Sequence, residues 1–289
     1  MGAEASRAVG LFNLQTKNFK LFPKESCRLE SVVHNSLPDL SNVATSGKHR
    51  ILGIIPARWA STRFPGKPLH AIAGKPLVQH VWERCQRCKV LDDVVIATDD
   101  SRIEKACIEF GAKVVMTSAD HPTGTDRIAE AASALPDVTH VINIQGDEPL
   151  IDPELIDQLG EALLADSGIS IATAANPLTD DALVSDPNVV KVVLALNGDA
   201  LYFSRSPLPY RRSESPELQL YRHKGIYAYR RDFLEKFVTW APSPLELAES
   251  LEQLRALENG ARIKVLITSD ESPGVDTLEQ AQQIEALLR

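Results

Sequence analysis

Residues 54–69 read IIPARWASTRFPGKPL. Ile54 and Ile55 close the apolar run ILGIIP, which has the length and β-branched content of a buried strand. The chain then turns cationic through Arg58, Arg63 and Lys67. Strand, polar loop and following helical period make a βα unit, and the same alternation recurs down the chain. From Arg50 to Trp82 there is no Asp or Glu, whereas Arg50, Arg58, Arg63, Lys67 and Lys75 all fall in that window. A local cationic patch on a chain of net charge −8 points to a compact anionic ligand.

The bulk properties narrow the class. With 289 residues and 44% hydrophobic content, the chain has material for one large core or two modest ones. No apolar run reaches the roughly 18 residues of a membrane-spanning helix, and the amino-terminal stretch lacks the basic-then-apolar pattern of a signal peptide, so no membrane association and an intracellular location are expected. The acidic balance argues against nucleic-acid binding, which calls for a broad basic face. Cys27, Cys85, Cys88 and Cys107 include one close pair, Cys85-Gln86-Arg87-Cys88, which sits late in a helical period and has no second pair to complete a zinc site. Reduced, structural thiols are expected.

Residues 1–49 carry no sustained period, and they mix six Lys/Arg with four acids, Glu4, Glu25, Glu30 and Asp39. They read as a poorly ordered extension, and the four acids count against a transit peptide. Residues 50–289 read as one catalytic domain. After ILGIIP come a helix around 76–88, the strand VVIATDD, and a helix from Ser101 to Phe110 stopped by Gly111, with Ser101 and Glu104 fitting a capping box. VVMTS, VINIQGD, a helix over 153–165 capped by Asp152, ISIATAA and VVKVVLAL continue the alternation, which implies an α/β fold with a largely parallel central sheet. Residues 202–224 read as a long loop or β excursion. A strand at GIYAYR, one helix opened by Ser243-Pro244 and closed by Gly260, a strand at IKVLITS and a final helix after Asp276-Thr277 complete the pattern.

In an open α/β sheet, ligands bind beyond the carboxyl ends of the strands. The loop after ILGIIP is therefore well placed, and Arg58, Ser61, Arg63 and Lys67 have the donors a phosphate needs. Neither a Walker A sequence nor GxGxxG occurs, and composition alone leaves a solvated basic loop equally open. Asp147 emerges at the end of the VINI strand on the same sheet edge. A carboxylate facing phosphate calls for a mediator, and magnesium suits that role; a turn acid is the plain alternative. Asp276 suits a cap for the last helix or a second ligand, and spacing alone slightly favours the cap.

These motifs together resemble one family. IIPARWASTRFPGKPL, VVIATDD, NIQGDEP, VVKVVLALNGDALYFSRSPLP, RHKGIYAYR, PSPLELAESLEQLRALENG and GVDT, in this order over about residues 50–289, are similar to the CMP-Kdo synthetases, the 3-deoxy-manno-octulosonate cytidylyltransferases. The resemblance implies a nucleotide-diphospho-sugar transferase-like three-layer sandwich, with the 202–224 excursion helping to form a homodimer. It also implies a cytoplasmic, Mg2+-dependent enzyme that takes CTP and Kdo and releases diphosphate, feeding lipopolysaccharide or a related Kdo-containing polysaccharide. Carried over by motif, Arg58, Ser61, Arg63 and Lys67 hold the CTP phosphates, with Arg127 and Gln145 near the nucleotide. Asp147 and Asp276 hold the magnesium, and Asp147, Asp276, Lys67 and Arg58 form the catalytic set. Arg205, His223, Tyr227, Glu246 and Gln253 contact the sugar.

Glu246 also completes a capping box with Ser243, and Gln253 follows two helical turns later, which would put both on one helix face. His80 and His121 read as core or surface fillers. The SPGVDT segment is shorter than the PGTGVDT of many relatives, which bears on the reach of Asp276, while FSRSPLPY and WASTRF differ from the common FSRATIPW and YASTRL. The rival readings are a cytidylyltransferase for another acidic sugar, 8-amino-Kdo or sialic acid, and a non-catalytic nucleotide sensor.

Overall fold

β1 (Ile51–Ala57) has successive side chains buried on opposite faces, Ile51 and Ile55 on one and Leu52 and Ile54 on the other. A strand covered on both faces needs a layer of helices on each side, and the computed structural model has that arrangement. It describes residues 49–60, 64–213 and 218–288; the expected extension over 1–49 falls almost wholly outside these residues, as do Ser61 and Arg63.

Beyond β1 the chain runs through a 3-10 turn (Lys67–Leu69), the short pair β2 (Ala71–Ile72) and β3 (Lys75–Pro76), α1 (Leu77–Cys85), β4 (Asp93–Thr98), α2 (Ser101–Glu109), β5 (Lys113–Met116), α3 (Gly124–Ser133), β6 (His140–Asn143) and α4 (Pro153–Ala165). The second half holds β7 (Ile171–Leu178), α5 (Asp181–Ser185), β8 (Lys191–Leu194), β9 (Ala200–Ser204), β10 (Leu220–Arg230), α6 (Arg231–Phe237), α7 (Pro244–Glu249), α8 (Gln253–Glu258), β11 (Ile263–Ile267) and α9 (Leu278–Leu288). The central sheet runs β11-β7-β10-β6-β1-β4-β5, with β8 and β9 attached beside β10. β5, β4, β1 and β6 are mutually parallel and β11 is parallel to β7, whereas β10 lies antiparallel between β6 and β7. α1, α2 and α4 bury Val78, Val81, Ile103, Leu155 and Leu159 against one face, while α3, α6 and α8 bury Ile128, Leu234, Phe237 and Leu254 against the other. This is the expected α/β three-layer sandwich.

Several local expectations need correction. Asp100, not Ser101, caps α2: its carboxylate accepts from the Arg102 amide at 2.9 Å, because it already sits one residue before the first helical turn. The single helix expected over 243–260 is two, α7 and α8, broken where Ser250 adopts the left-handed conformation with φ 52°. The excursion over 202–224 is more regular than expected, since β10 begins at Leu220 and pairs with β7 and β8. Cys88 lies beyond the end of α1. Cys85, Cys88 and Cys107 are free, and burial pushes the Cys88 and Cys107 thiols up to about 12. They are therefore protonated, consistent with a structural role.

His140 opens β6 with 2% of its surface exposed, its Nδ1 2.9 Å from the Thr139 hydroxyl. Burial, aided by the nearby Arg230 and His49 charges, pushes its pKa down to about 4 from an ordinary 6.5. The folded protein keeps this imidazole neutral where the unfolded chain would protonate it, so its contribution to stability is present above pH 6.5 and is lost as pH falls toward 4. Denaturant unfolding between these limits is expected to show a slope about 1.4 kcal/mol per pH unit steeper in the wild-type protein than in His140→Gln. Equal slopes would contradict the assignment.

Candidate active site

Three loops meet at the carboxyl end of the parallel strands. The loop after β1 brings Arg58 and Lys67, the loop after β6 brings Gln145, Gly146 and Asp147, and the segment between β11 and α9 brings Asp276. With the amino end of α3 they line a cavity of about 380 Å³. Two glycines make the close approach possible. A Cβ on Gly146 would sit 2.8 Å from the Pro56 carbonyl oxygen, and Gly66, with φ 70°, turns the chain into the 3-10 turn that carries Lys67.

At the cavity wall the Lys67 ammonium donates to Asp147 Oδ2 at 2.6 Å and to Asp276 Oδ1 at 3.2 Å. The two carboxylates therefore converge on one cationic atom. The cap role open to Asp276 falls instead to its neighbour. α9 begins at Leu278, and the Thr277 hydroxyl accepts from the Gln280 amide at 3.3 Å, so Thr277 serves as the cap. The short SPGVDT segment still reaches, because the Val275 amide donates to the Asp147 carbonyl at 2.8 Å. Val275 is fully buried beside Ile72, Leu77 and Ile284.

The carboxylates alone suit a hard cation that draws its other ligands from phosphate and water. Among the described residues no cluster of three or more His, Cys, Asp or Glu is placed to hold a metal. Magnesium requires no such cluster, since one or two carboxylates plus substrate oxygens is its usual set. An all-oxygen pair already gathered around a positive charge fits that ion.

Arg127 is 4% exposed; its guanidinium donates to Asp99 Oδ2 at 3.0 Å and to the Thr117 hydroxyl, while the residue lines the cavity. Gln145 donates through Nε2 to the Gly225 carbonyl at 2.8 Å, tying the loop after β6 to β10. Ser61 and Arg63 lie outside the described residues.

The residues assigned to the sugar by resemblance lie outside the lining of this cavity and divide among three places. His223 and Tyr227, on β10, pack with ring centres 5.4 Å apart and ring planes tilted by 49°, and His223 Nε2 lies 3.0 Å from the Thr173 hydroxyl. Burial pushes His223 down to about 3 and the Tyr227 phenol up, so both are neutral near pH 7. The Arg205 guanidinium donates to the carbonyls of Glu249 at 2.7 Å, Pro187 at 3.0 Å and Ser250 at 3.4 Å.

The Glu246 carboxylate accepts from Arg255 at 2.6 and 2.7 Å and from the Ser243 amide at 3.0 Å, so the local role dominates what this side chain touches. Burial would raise its pKa, but the Arg255 and Ser243 hydrogen bonds hold it below the usual value. Gln253 sits on the other side of the break at Ser250, so the two-turn spacing does not place it on the same helix face as Glu246. Its Nε2 is buried without a partner among the described residues.

Sequence reasoning missed three contributors. His121, read as a filler, lines the cavity and is paired with Glu130; its signal was the HPTGTDR run that also holds Arg127. Glu252 receives hydrogen bonds from Thr125 at 2.5 Å and from the cavity residue Thr123 at 3.2 Å. Burial pushes its carboxyl up despite those hydroxyls and Arg255. Asp99 orients Arg127 and was visible only as the end of VVIATDD. His80, by contrast, is buried with Nε2 2.7 Å from the Ile72 carbonyl, the core role expected of it.

Residues 52–263 match a family model described as cytidylyltransferase. A 3-deoxy-manno-octulosonate cytidylyltransferase from Geobacter metallireducens is 52% identical over 238 residues, covering 79% of this chain and 93% of that protein. One from Myxococcus xanthus is 49% identical over 240 residues, covering 83% and 97%. Among solved structures, a CMP:2-keto-3-deoxy-manno-octonic acid synthetase complexed with CTP superimposes with TM-score 0.80 at 42% identity, covering 83% of this chain and 98% of that one. A 4-diphosphocytidyl-2C-methyl-D-erythritol synthase from Anaerococcus prevotii, at 16% identity and TM-score 0.55, shares the fold.

The Glu246–Arg255 pair yields a stability prediction. Arg255→Met strands a buried carboxylate and is expected to cost about 3–5 kcal/mol, and adding Glu246→Gln to it recovers part of the loss. Denaturation midpoints of the two variants check this; a double variant no more stable than the single one refutes it.

Proposed function

The chain belongs to the 3-deoxy-manno-octulosonate cytidylyltransferase family, and from that premise we propose that its cavity joins CMP from CTP to Kdo, releasing diphosphate. The anomeric hydroxyl oxygen of the sugar attacks the α-phosphorus. The new O–P bond forms as the bond to the β-phosphate oxygen breaks, and the hydroxyl proton passes to solvent. The observation that carries this reading is the convergence of Asp147 and Asp276 on the Lys67 ammonium, at 2.6 and 3.2 Å, beside a cavity lined by Arg58 and Arg127.

Asp147 and Asp276 would hold the magnesium, which when bound lowers the pKa of a coordinated hydroxyl and offsets phosphate charge. Arg58 and Lys67 neutralise the charge that develops on departing diphosphate, and Arg127, held by Asp99, orients the nucleotide. Such an electrostatic role suits a reaction whose main obstacles are repulsion and geometry. Arg205, His223, Tyr227 and Gln253 stand as the sugar-contacting set, and Glu246 acts through its pairing with Arg255.

The homodimer reading draws on exposed apolar side chains in the 202–224 excursion and just before it, Tyr210 within it and Leu196 and Leu201 ahead of it. Among the described residues no helix is long and apolar enough to cross a membrane. A cytoplasmic enzyme feeding lipopolysaccharide or a related polysaccharide accords with the use of CTP.

Diphosphate release measured with CTP and Kdo, 8-amino-Kdo or sialic acid tests the assignment, with Kdo expected to be turned over best. Asp147→Asn is expected to fold and to lose at least ~10³ in turnover, comparable with removal of a key transition-state contact. Preference for another acid would overturn the substrate, and near-normal turnover of Asp147→Asn would overturn the metal role.

A further inference from the structure

In the proposed reaction the Lys67 ammonium, which joins Asp147 and Asp276 here, is shared with the triphosphate. When its ammonium turns toward phosphate, the tie it makes between the two loops weakens, and their other contacts carry more of the alignment.

A second lysine lies where that restraint is needed. Lys224 is 7% exposed and projects from β10 just before the irregularity that separates Lys224 from Tyr227 in the pairing with β7. Its ammonium donates to the Ser272 hydroxyl at 2.7 Å and lies 3.1 Å from Asp270 Oδ2, 3.3 Å from Glu148 Oε2 and 3.4 Å from the Ser272 carbonyl. Glu148 is the neighbour of Asp147. Asp270 and Ser272 belong to the segment that ends in Asp276. The two lysines therefore bridge the same two loops, Lys67 at the cavity wall and Lys224 in the interior.

The segment is organised to receive that contact. Ser272 donates through its amide to Asp270 Oδ1 at 3.0 Å and through its hydroxyl to Asp270 Oδ2 at 3.0 Å, and Asn176 Nδ2 donates to the carbonyls of Thr268 and Asp270 at 2.9 and 2.8 Å. Those bonds fix the segment to itself and to β7. At its far end the segment meets the loop after β6 through the Val275 amide and the Asp147 carbonyl; Lys224 adds a second bridge nearer its start, together with the 3.3 Å contact between the Ser272 hydroxyl and Glu148. An ammonium shielded from water and shared by two carboxylates makes a stronger tie than an exposed pair would.

We propose that Lys224 is a positioning residue, whose buried ammonium clamps the loop after β6 to residues 268–276 so that Asp147 and Asp276 keep facing one another when Lys67 turns toward the nucleotide. The proposal rests on the metal-holding role given to those aspartates above.

The test compares hydrogen exchange in the full chain, free of metal and nucleotide, between wild type and Lys224→Met. Amides of 268–277 are expected to exchange about tenfold faster in the variant while those of β1 and β6 keep their rates, and Lys224→Arg is expected to restore most of the protection. In calorimetric titrations with CTP, the gain in affinity on adding Mg2+ is expected to shrink about tenfold in Lys224→Met, with metal-free CTP affinity unchanged. Unchanged exchange at 268–277, or an equal acceleration throughout the sheet, overturns the proposal. Should Lys224→Met fail to fold, Ser272→Ala, which removes one hydroxyl from the clamp, is expected to give about a threefold acceleration confined to the same segment, and no acceleration there overturns it equally. Failure of the wild-type protein to release diphosphate would refute the assigned reaction while leaving the exchange result to judge the clamp.

Discussion

An ammonium held between two carboxylates is the contact on which the site depends. Lys67 is 80 residues from Asp147 and 209 from Asp276 in the chain, so nothing local brings the three together. Each is delivered by a separate segment: a 3-10 turn after the first strand, a glycine-bearing loop after the sixth and the lead-in to the last helix. The backbone bond from Val275 to Asp147 and the buried Val275 side chain show that the approach is built into the main chain and the small core under α9, as well as into charge attraction.

The antiparallel β10 gives the site its second component. The parallel strands end at one sheet edge, so they present loops there but no extended chain. Inserted between β6 and β7, β10 runs the other way, and its first half projects beyond the end of β6, where it is paired with β7 and β8. That is how His223, Lys224 and Gly225 come to stand near loops that belong to other strands. Gln145 bonds to Gly225 and Lys224 to Glu148, so β10 and the loop after β6 are stitched at two points.

Buried polar groups set the shape of the helices on the far side of β10. Arg255 and Glu246 face each other across the break at Ser250, Glu252 takes the hydroxyls of Thr123 and Thr125, and Lys191, 1% exposed, donates to the carbonyls of Asp186, Val189 and Arg205. In a low-dielectric setting such groups are costly unless fully paired, so they fix one arrangement of loops rather than several.

The alternation of strands and helices, the buried first strand, the Asp152 cap and the order of the family motifs were all legible in the chain, because periodicity and capping depend on neighbours a few residues apart. The cationic loop and the candidate aspartates were legible for a related reason: a charge placed where an apolar strand ends stands out against its flanks. The break at Ser250 was hidden, since residues 243–260 keep helical character on both sides of it and only the packing around Arg255 and Glu246 decides where the turn falls. Whether Asp276 capped a helix or met Asp147 was equally closed to inspection, because both roles use the same residue after the same strand. Thr277 taking the cap and Lys67 drawing the two carboxylates together are outcomes of long-range geometry, and so are the places of His121, Glu252 and Lys224. The sequence by itself determined the layers and the inventory of charges; only the tertiary structure decided which charges meet, because pairing distances follow from the order of strands in the sheet, which local patterning does not encode.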